Sequence, residues 1–289
     1  MNELRRDATW PWPTRDHADP DGRMAVTEVG SGRPILFVHG TPTWSIDWRH
    51  LVADLSRDHR CIAVDHLGFG ASERPDGVGY RPEDHAARFS RFADSLDLSD
   101  ATVVVHDFGG PIALPWVLAN RDRVRRLVLL NTWAWPFRTR STRFVAWVLG
   151  SPLGRVLYRW ANLSLRVIAP GAWADRSKLT PELQAQLLAP FANRSSRDVL
   201  WALAHSMLAS EPFWAHLEQQ LPSLRGLAID LIWGTRDPAF GPPDLASWQQ
   251  HLPHARTLEL PVGHWPHEED PDAVIARLRA QPTENPPST

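Results

Sequence analysis

The chain has 289 residues, 43% hydrophobic and 22% charged, which is ordinary usage for a globular protein. Its formal net charge is -2 and its sequence pI is about 6.7, so neither a nucleic-acid partner nor a polybasic membrane anchor is predicted. Residues 1–22 lack the apolar core of a secretory signal, and no apolar run reaches the roughly 18 residues that a membrane span needs.

The single cysteine, Cys61, cannot form an internal disulfide, which favours a reducing cytoplasm. We expect it to be a buried apolar residue, because it lies within the strand-like run RCIAVDHLG. The prolines before Arg23 predict an irregular arm, and the final QPTENPPST predicts a frayed polar tail.

Short β-rich runs then alternate with segments of helical periodicity, a pattern typical of a parallel sheet flanked by helices. The predicted strands, in chain order, are RMAVTEVG, RPILFVHG, RCIAVDHLG, ATVVVHDFGG, RRLVLLNT, AIDLIWGTRD and ARTLELPVGH. The predicted helices among them include WSIDWRHLVADLSRD, RPEDHAARFSRFADSLDL and GPIALPWVLANRDRV. Most of the strands are almost continuously apolar, as expected where both faces of a sheet are buried.

The alternation stops after Thr132, where the chain becomes consistently helical and rich in tryptophan and proline. We therefore predict a core domain formed by residues 1–132 and 216–289, with residues 133–215 inserted as a helical cap. Such a cap would cover the carboxyl edge of the sheet, where open α/β sheets bind their ligands.

The first candidate residue at that edge is Asp107, in VVVHDFGG. A nucleophile on a sharp strand-to-helix turn needs small neighbours, and Gly109 and Gly110 provide them. Asp107 stands where serine enzymes with the G-x-S-x-G motif carry their serine. The alternative is that Asp107 only caps the following helix.

Two later strand ends carry residues that could complete a catalytic triad. His264 follows the last strand in PVGHWPHEEDP, and Asp237 follows the preceding strand in IWGTRDPAF. The chain order nucleophile, acid, histidine fits an Asp107–Asp237–His264 triad. The alternatives are a structural histidine and a turn-forming aspartate before proline. His264 and His267 form an H-x-x-H pair, but no third ligand has suitable spacing, so no metal is predicted.

The loop FVHGTPTW supplies the remaining group, a backbone N–H donor. With the N–H of the residue after the nucleophile, it would form an oxyanion hole from Thr41 and Phe108.

Together, HGTPTWSIDWRHL, DHLGFGASERP, VVVHDFGGPIAL and VGHWPHEEDP resemble motifs of the α/β-hydrolase superfamily, in its haloalkane dehalogenase-like branch. The resemblance covers about Arg33 to Thr132 and resumes near Ile229. It implies an α/β-hydrolase fold, a mostly parallel twisted sheet flanked by helices with an inserted helical cap.

The resemblance also implies a two-step reaction. The carboxylate of Asp107, which has a reference pKa of about 3.9, attacks a substrate carbon and forms an alkyl ester. His264, oriented by Asp237, then activates water to hydrolyse that ester. This chemistry uses side chains, backbone amides and water, so no cofactor is predicted.

Two positions depart from the family pattern of halide-binding donors. Phe108 occupies the position of a tryptophan that usually follows the nucleophile, and Thr41 that of a frequent asparagine. A cap tryptophan is the alternative donor. Candidate pocket residues are Trp44, Trp133, Trp135, Tyr158 and Trp265.

We therefore predict a cytoplasmic hydrolase, monomeric or a small homo-oligomer, that acts on a small, mainly apolar substrate. One alternative is an epoxide hydrolase, although Tyr158 is the one tyrosine in the predicted cap where such enzymes often use a pair. A second alternative is a non-catalytic protein that binds a small ligand beneath the cap.

Overall fold

A computed structural model of the protein describes residues 10–281. Eight strands form one sheet in the order β1-β2-β4-β3-β5-β6-β7-β8. β1 and β2 pair antiparallel, as do β2 and β4, and the remaining pairs are parallel. The strands are β1 (Thr14–Asp19), β2 (Gly22–Val29), β3 (Arg33–Val38), β4 (His59–Val64), β5 (Ala101–His106), β6 (Val124–Leu130), β7 (Ala228–Gly234) and β8 (Arg256–Leu260).

Twelve α-helical segments are described on and around this sheet. They are α1 (Arg49–Leu55), α2 (Pro82–Asp94), α3 (Gly109–Ala119), α4 (Arg140–Gly150), α5 (Pro152–Val156), α6 (Ala169–Gly171), α7 (Pro181–Leu188), α8 (Asp198–Ala209), α9 (Glu211–Gln220), α10 (Pro242–His251), α11 (Pro266–Glu269) and α12 (Pro271–Arg279). The seven predicted strands and the three predicted helices are all present, with ends shifted by a few residues. Within residues 10–281, none of the helices combines the length and apolar character needed to cross a membrane.

The segment before Arg23 differs from its prediction. Thr14–Asp19 forms the edge strand β1, which makes a tight antiparallel hairpin with β2. Its residues, TRDHAD, are polar and mostly exposed or half-buried, so the apolar alternation that identifies a strand is missing. A polar edge strand also resists pairing with another chain. The predicted C-terminal tail lies almost entirely outside the described residues.

The sheet register brings the carboxyl ends of the central strands together. Val38, the last residue of β3, is opposite Val105 of β5, and His106 is opposite Leu130 of β6. The loops that follow these strands consequently leave the sheet side by side. β5 is almost fully buried, since its valines pack in the core that covers both faces of the sheet. Cys61 is buried in the same core.

Between β6 and β7 the chain is helical, from α4 to α9. Two π-helical segments, Leu157–Ala161 and Ser164–Ile168, lie within it, and Asn162 between them has a left-handed φ of 50°. Wide turns of this kind are rare and frequently lie at functional sites. We call this region the cap, and its boundaries at residues 133 and 215 stay a prediction.

Candidate active site

Asp107 occupies a strained turn between β5 and α3. Its φ is +51°, in the left-handed region that non-glycine residues seldom adopt. Two glycines leave room for that turn. A Cβ on Gly109 would lie 2.1 Å from the Val38 carbonyl oxygen, and one on Gly40 would lie 2.4 Å from the Cβ of Asp107. The turn therefore depends on glycine at both positions, and it directs the Asp107 side chain into the space between the loops.

Two backbone amides converge on the Asp107 carboxylate. The Thr41 N–H donates to Oδ1 at 2.7 Å, and the Phe108 N–H also hydrogen-bonds the carboxylate. Burial raises the pKa of Asp107 to about 6, against the opposing effects of the His264 charge and these two N–H groups. The carboxylate is therefore mostly ionised at neutral pH, but less completely than its ordinary pKa implies.

His264 lies in the loop after β8 and joins the two aspartates. Its Nδ1 is 2.7 Å from Asp237 Oδ2, and its Nε2 is 3.7 Å from Asp107 Oδ2. Burial acts to lower the pKa of His264, but the carboxylates of Asp237 and Asp107 outweigh it and raise the pKa above its ordinary value. The 3.7 Å separation is longer than a hydrogen bond, so Nε2 does not form a hydrogen bond with Asp107.

Asp237 follows β7 and is held on both carboxylate oxygens. Ala239 N–H donates to Oδ1 at 2.7 Å, and the Asn131 side chain donates to Oδ2 at 2.8 Å. Burial acts to raise the pKa of Asp237, but the His264 charge and these hydrogen bonds together lower it below its ordinary value. Asp237 thus stays ionised beside His264, and Asn131 fixes its orientation.

A cavity of about 140 Å³ lies directly over Asp107. A cavity of about 150 Å³ in an apolar core can hold a molecule the size of benzene. The predicted residues that line the cavity are Thr41, Asp107, Phe108, Trp133, Tyr158, His264 and Trp265. The cap adds side chains that the sequence did not single out, among them Leu149, Ser164, Ile168, Leu200 and Met207.

Two of the predicted pocket tryptophans lie elsewhere. The Trp44 indole donates to the Gln186 carbonyl at 3.2 Å. Trp135 packs edge-on against Trp248, with the ring centroids 5.1 Å apart. Neither lines the cavity, because each is packed against other parts of the fold. Their positions in the sequence carried no signal that distinguished them from Trp133.

Trp133 and Trp265 line the cavity, and each carries one indole N–H group. Both rings are buried, and neither Nε1 has a hydrogen-bond partner among residues 10–281. Trp133 meets Phe108 edge-on at 4.7 Å and stacks on Phe240 at 4.8 Å. Trp265 stacks on Trp173 at 5.4 Å. A buried N–H without a partner is costly, so these groups are candidates for contact with a ligand.

Behind His264 lies a second buried group of polar side chains, Asp47, His106 and His267. Asp47 Oδ2 is 3.9 Å from His106 Nδ1 and 3.9 Å from His267 Nε2. Burial raises the pKa of Asp47 to about 7 and lowers the pKa of both histidines well below the ordinary value. His106 Nε2 is 2.8 Å from the His264 carbonyl oxygen, so this group supports the loop that carries His264.

The same group bears on the H-x-x-H pair in the sequence. His264 faces the two aspartates, while His267 points into the separate group, so the pair does not form one site. The ligand atoms of Asp47, His106 and His267 lie within 4.8 Å of one another. Neighbouring ligands of a tetrahedral zinc site, with bonds of about 2.1 Å, are only roughly 3.4 Å apart. The absence of a metal stays a prediction.

Sequence comparisons agree with this architecture. The profile of the α/β-hydrolase fold matches residues 33–271. Haloalkane dehalogenase 2 of Mycobacterium bovis is 33% identical over 276 residues, covering 93% of this chain and 94% of the relative. The cis-3-alkyl-4-alkyloxetan-2-one decarboxylase of Shewanella oneidensis is 32% identical over 283 residues, covering 91% and 86%.

Solved structures support the same family assignment. The haloalkane dehalogenase DbeA from Bradyrhizobium elkani superposes with a TM-score of 0.82 at 26% identity, covering 92% of this chain and 96% of that one. The haloalkane dehalogenase DatA from Agrobacterium tumefaciens also gives a TM-score of 0.82 at 26% identity. The resemblance inferred from the motifs is therefore confirmed. The chain belongs to the α/β-hydrolase family and is a haloalkane dehalogenase-like enzyme.

Proposed function

We propose that the protein hydrolyses a small, mainly apolar substrate through a covalent alkyl ester on Asp107. The observation that carries the proposal is the asymmetry of the Asp107 carboxylate. Its Oδ1 accepts a hydrogen bond from Thr41 N–H, while its Oδ2 is 3.7 Å from His264 Nε2, and Asp107 lines the cavity. One oxygen is thereby held, and the other is left to attack.

The first step forms the ester. A carboxylate oxygen of Asp107 attacks the substrate carbon, and the leaving group departs with the bonding electron pair. An ionised carboxylate needs no base for this step.

The second step hydrolyses the ester. His264 Nε2 takes a proton from water, and the resulting hydroxide attacks the ester carbonyl carbon. The N–H groups of Thr41 and Phe108 stabilise the oxyanion, which collapses and expels the alkoxide. The alkoxide takes the hydroxyl proton and leaves as the alcohol, Asp107 returns to its carboxylate form, and His264 gives its added proton to solvent.

Trp133 is the residue that we assign to the leaving group. Its Nε1 is buried without a partner among the described residues, and its ring contacts Phe108, beside the nucleophile. An indole N–H there would supply the donor that Phe108 lacks. We expect Trp133→Phe to lower the rate of the first step and to leave ester hydrolysis unchanged, as measured by pre-steady-state quenched flow.

A second candidate function is the opening of a strained oxygen ring, as in an epoxide. Tyr158 lines the cavity, and burial together with the Asp107 charge raises the pKa of its hydroxyl. A hydroxyl that stays protonated could protonate the ring oxygen as it leaves. The name of the Shewanella oneidensis relative, an oxetan-2-one decarboxylase, supports including such rings among the substrates tested.

The test is to trap the ester in a His264→Ala variant, which should complete the first step and stop. Intact-protein mass spectrometry follows incubation with a bromoalkane, an epoxide or a cis-3,4-dialkyl oxetan-2-one. A bromoalkane adds its alkyl group in place of one hydrogen, whereas an epoxide adds its whole mass. The mass increase therefore identifies the reaction class, and peptide mapping should locate it on Asp107.

Two variants serve as controls for the trapping. Asp107→Asn in the same background should show no adduct, and His59→Ala, at a half-buried position next to Asp58, should turn over like the wild type. Wild-type turnover without an adduct in His264→Ala would rule out the alkyl-ester proposal. If no substrate gives turnover or an adduct, the non-catalytic ligand-binding alternative is favoured. We also propose a cytoplasmic location, because the single cysteine, Cys61, cannot form an internal disulfide.

A further inference from the structure

Exposed apolar side chains are concentrated on one part of the cap. Among residues 10–281, all of the exposed large apolar side chains lie between residues 144 and 168. Phe144 is 63% exposed, Trp147 61%, Leu153 64% and Trp160 61%. The others are Val145, Val156, Leu157, Val167 and Ile168. We call these nine residues the apolar cap face. Scattered exposed apolar residues are ordinary, whereas this concentration, in which the Phe144 and Trp147 rings lie 6.1 Å apart, favours an interaction surface.

The same segment is strongly basic. Residues 123–174 contain no aspartate or glutamate, although the whole chain has a formal charge of -2. Arginines accompany the apolar residues at positions 140, 143, 155, 159 and 166. On α4, Arg140, Phe144 and Trp147 follow one another at helical spacing, so they share a face. Arginine side chains beside aromatic rings of this kind can reach outward while their stems cover apolar surface.

A groove beside the apolar cap face gathers three of the cap's arginines. It has a volume of about 410 Å³ and is lined by Arg155, Val156, Arg159, Trp160 and Arg194. Arg155 and Arg159 share a single carboxylate, that of Asp198, at 3.4 and 3.3 Å. Arg194 lies 3.6 Å from the centroid of the Trp160 ring. The groove thus holds more positive than negative charge and suits a phosphate group.

We propose that the apolar cap face and this groove bind the surface of an anionic phospholipid bilayer. Aromatic and aliphatic side chains on an arginine-rich helical surface are the pattern of segments that lie in the membrane interface without spanning it. Tryptophan favours that interface, and arginine is attracted to anionic headgroups. Two copies of the face would bring like charges together, so charge complementarity favours the bilayer over a second copy of the chain.

This inference departs from the prediction made from the sequence, which gave no membrane partner. The net charge and the lack of a long apolar run concern the chain as a whole. Neither property shows whether basic and apolar residues lie on the same surface of the folded cap.

The apolar cap face also reaches the cavity. Ile168 is 40% exposed and lines the cavity over Asp107. An apolar substrate dissolved in a bilayer could therefore enter past Ile168 without crossing water. This route rests on the proposed function of Asp107, whereas bilayer binding does not, and the two are tested separately.

The test uses the intact protein and sedimentation with vesicles. One set contains phosphatidylcholine alone, and the other contains phosphatidylcholine mixed with phosphatidylglycerol. We expect binding at least about tenfold tighter to the anionic vesicles, weakening as salt is added. Because the native Cys61 is buried, Leu153→Cys can also be labelled with an environment-sensitive dye, whose emission should shift to the blue on binding.

Matched variants separate the apolar and basic parts of the surface. Trp147→Ser combined with Trp160→Ser should abolish binding, and Arg140→Glu combined with Arg166→Glu should lower it at least tenfold. The control is Arg33→Glu combined with Arg57→Glu, two exposed arginines at the amino edge of the sheet, which should bind like the wild type. Circular-dichroism melting checks that each variant is folded.

Three results would overturn the inference. They are no binding to anionic vesicles, equal binding to both vesicle types, or a loss of binding in the control variant as large as in the cap variants. Self-association that disappears in the double tryptophan variant, without vesicle binding, would assign the face to a second copy instead. Trapping of an ester on Asp107 is measured in solution without lipid, so its outcome is independent of these results.

Discussion

Burial of Asp107 has a direct kinetic consequence, because its raised pKa of about 6 lies near the working pH of most enzymes. The nucleophile is the ionised form, so nucleophilic capacity is present above the pKa and lost as the pH falls through it. We expect kcat/KM to be nearly constant above pH 7 and to fall about tenfold per pH unit below 6.

A companion measurement assigns that fall to Asp107. The positive charge of His264 lowers the pKa of Asp107, so removing it in His264→Ala should shift the midpoint of adduct formation to higher pH. The assignment would be contradicted if kcat/KM of the wild type and adduct formation in His264→Ala both stayed constant down to pH 5.

At the scale of single residues, the sequence predicted those whose position follows from the chain order of the strands. Asp107, Asp237, His264 and Thr41 each follow a strand of the parallel sheet, and parallel strands end at one edge. The raised pKa of Asp107 was not predictable, because it depends on how deeply the folded protein buries the carboxylate. For the same reason, the sequence could not select Trp133 over Trp135.

Among the elements, the turn from β5 into α3 leaves no room for a side chain at Gly109. Gly109 packs against the backbone of β3, where a Cβ would be 2.1 Å from a carbonyl oxygen. Since backbone cannot move aside as a side chain can, we expect Gly109→Ala to destabilise the protein by about 1–3 kcal/mol. Displacement of Asp107 should also lower kcat/KM by about 100-fold or more.

The matched control for this substitution is Gly171→Ala. A Cβ there has no neighbour within 4 Å among the described atoms, so stability and activity should stay close to those of the wild type. Urea denaturation and steady-state kinetics of both variants provide the comparison. Equal changes in stability and activity in the two variants would show that the close approach at Gly109 contributes to neither.

Prediction of the elements succeeded where apolar periodicity is strong and failed where it is weak. The buried strands β3 to β7 have continuous apolar runs, but the polar edge strand β1 has none. In the cap, helical character was predictable, whereas the two π-helical segments around Asn162 were not. A π-helical turn differs from an α-helical one in its hydrogen-bond spacing, which the periodicity of apolar residues does not reveal over so few residues.

Across the whole molecule, one buried carboxylate ties the end of the chain to the sheet. Asp230 on β7 is fully buried and accepts hydrogen bonds from Arg126 on β6, Arg256 on β8 and Arg277 on α12. Asp230→Asn would leave the buried Arg126 without a countercharge. We expect a loss of about 2–4 kcal/mol in the free energy of unfolding, measured by chemical denaturation.

Asp16→Asn is the control for this change, because Asp16 pairs with Arg23 in an exposed salt bridge. Exposed pairs contribute only about 0–1 kcal/mol, so this variant should unfold almost like the wild type. A similar loss in the free energy of unfolding of both variants would mean that burial of Asp230 contributes nothing to stability. The pH profile of kcat/KM should be the same in Asp230→Asn as in the wild type, since the cluster does not contact Asp107.

The aromatic rings around the cavity have an optical consequence. Trp133 is 5.3 Å from Trp214, and Trp173 is 5.4 Å from Trp265. Indole rings at such separations couple their electronic transitions, so small changes in their relative orientation alter the circular dichroism in the ultraviolet. Because Trp133 and Trp265 line the cavity, a bound molecule would change that signal. The protein thus contains its own spectroscopic reporter, by which occupancy can be titrated without turnover, label or added dye.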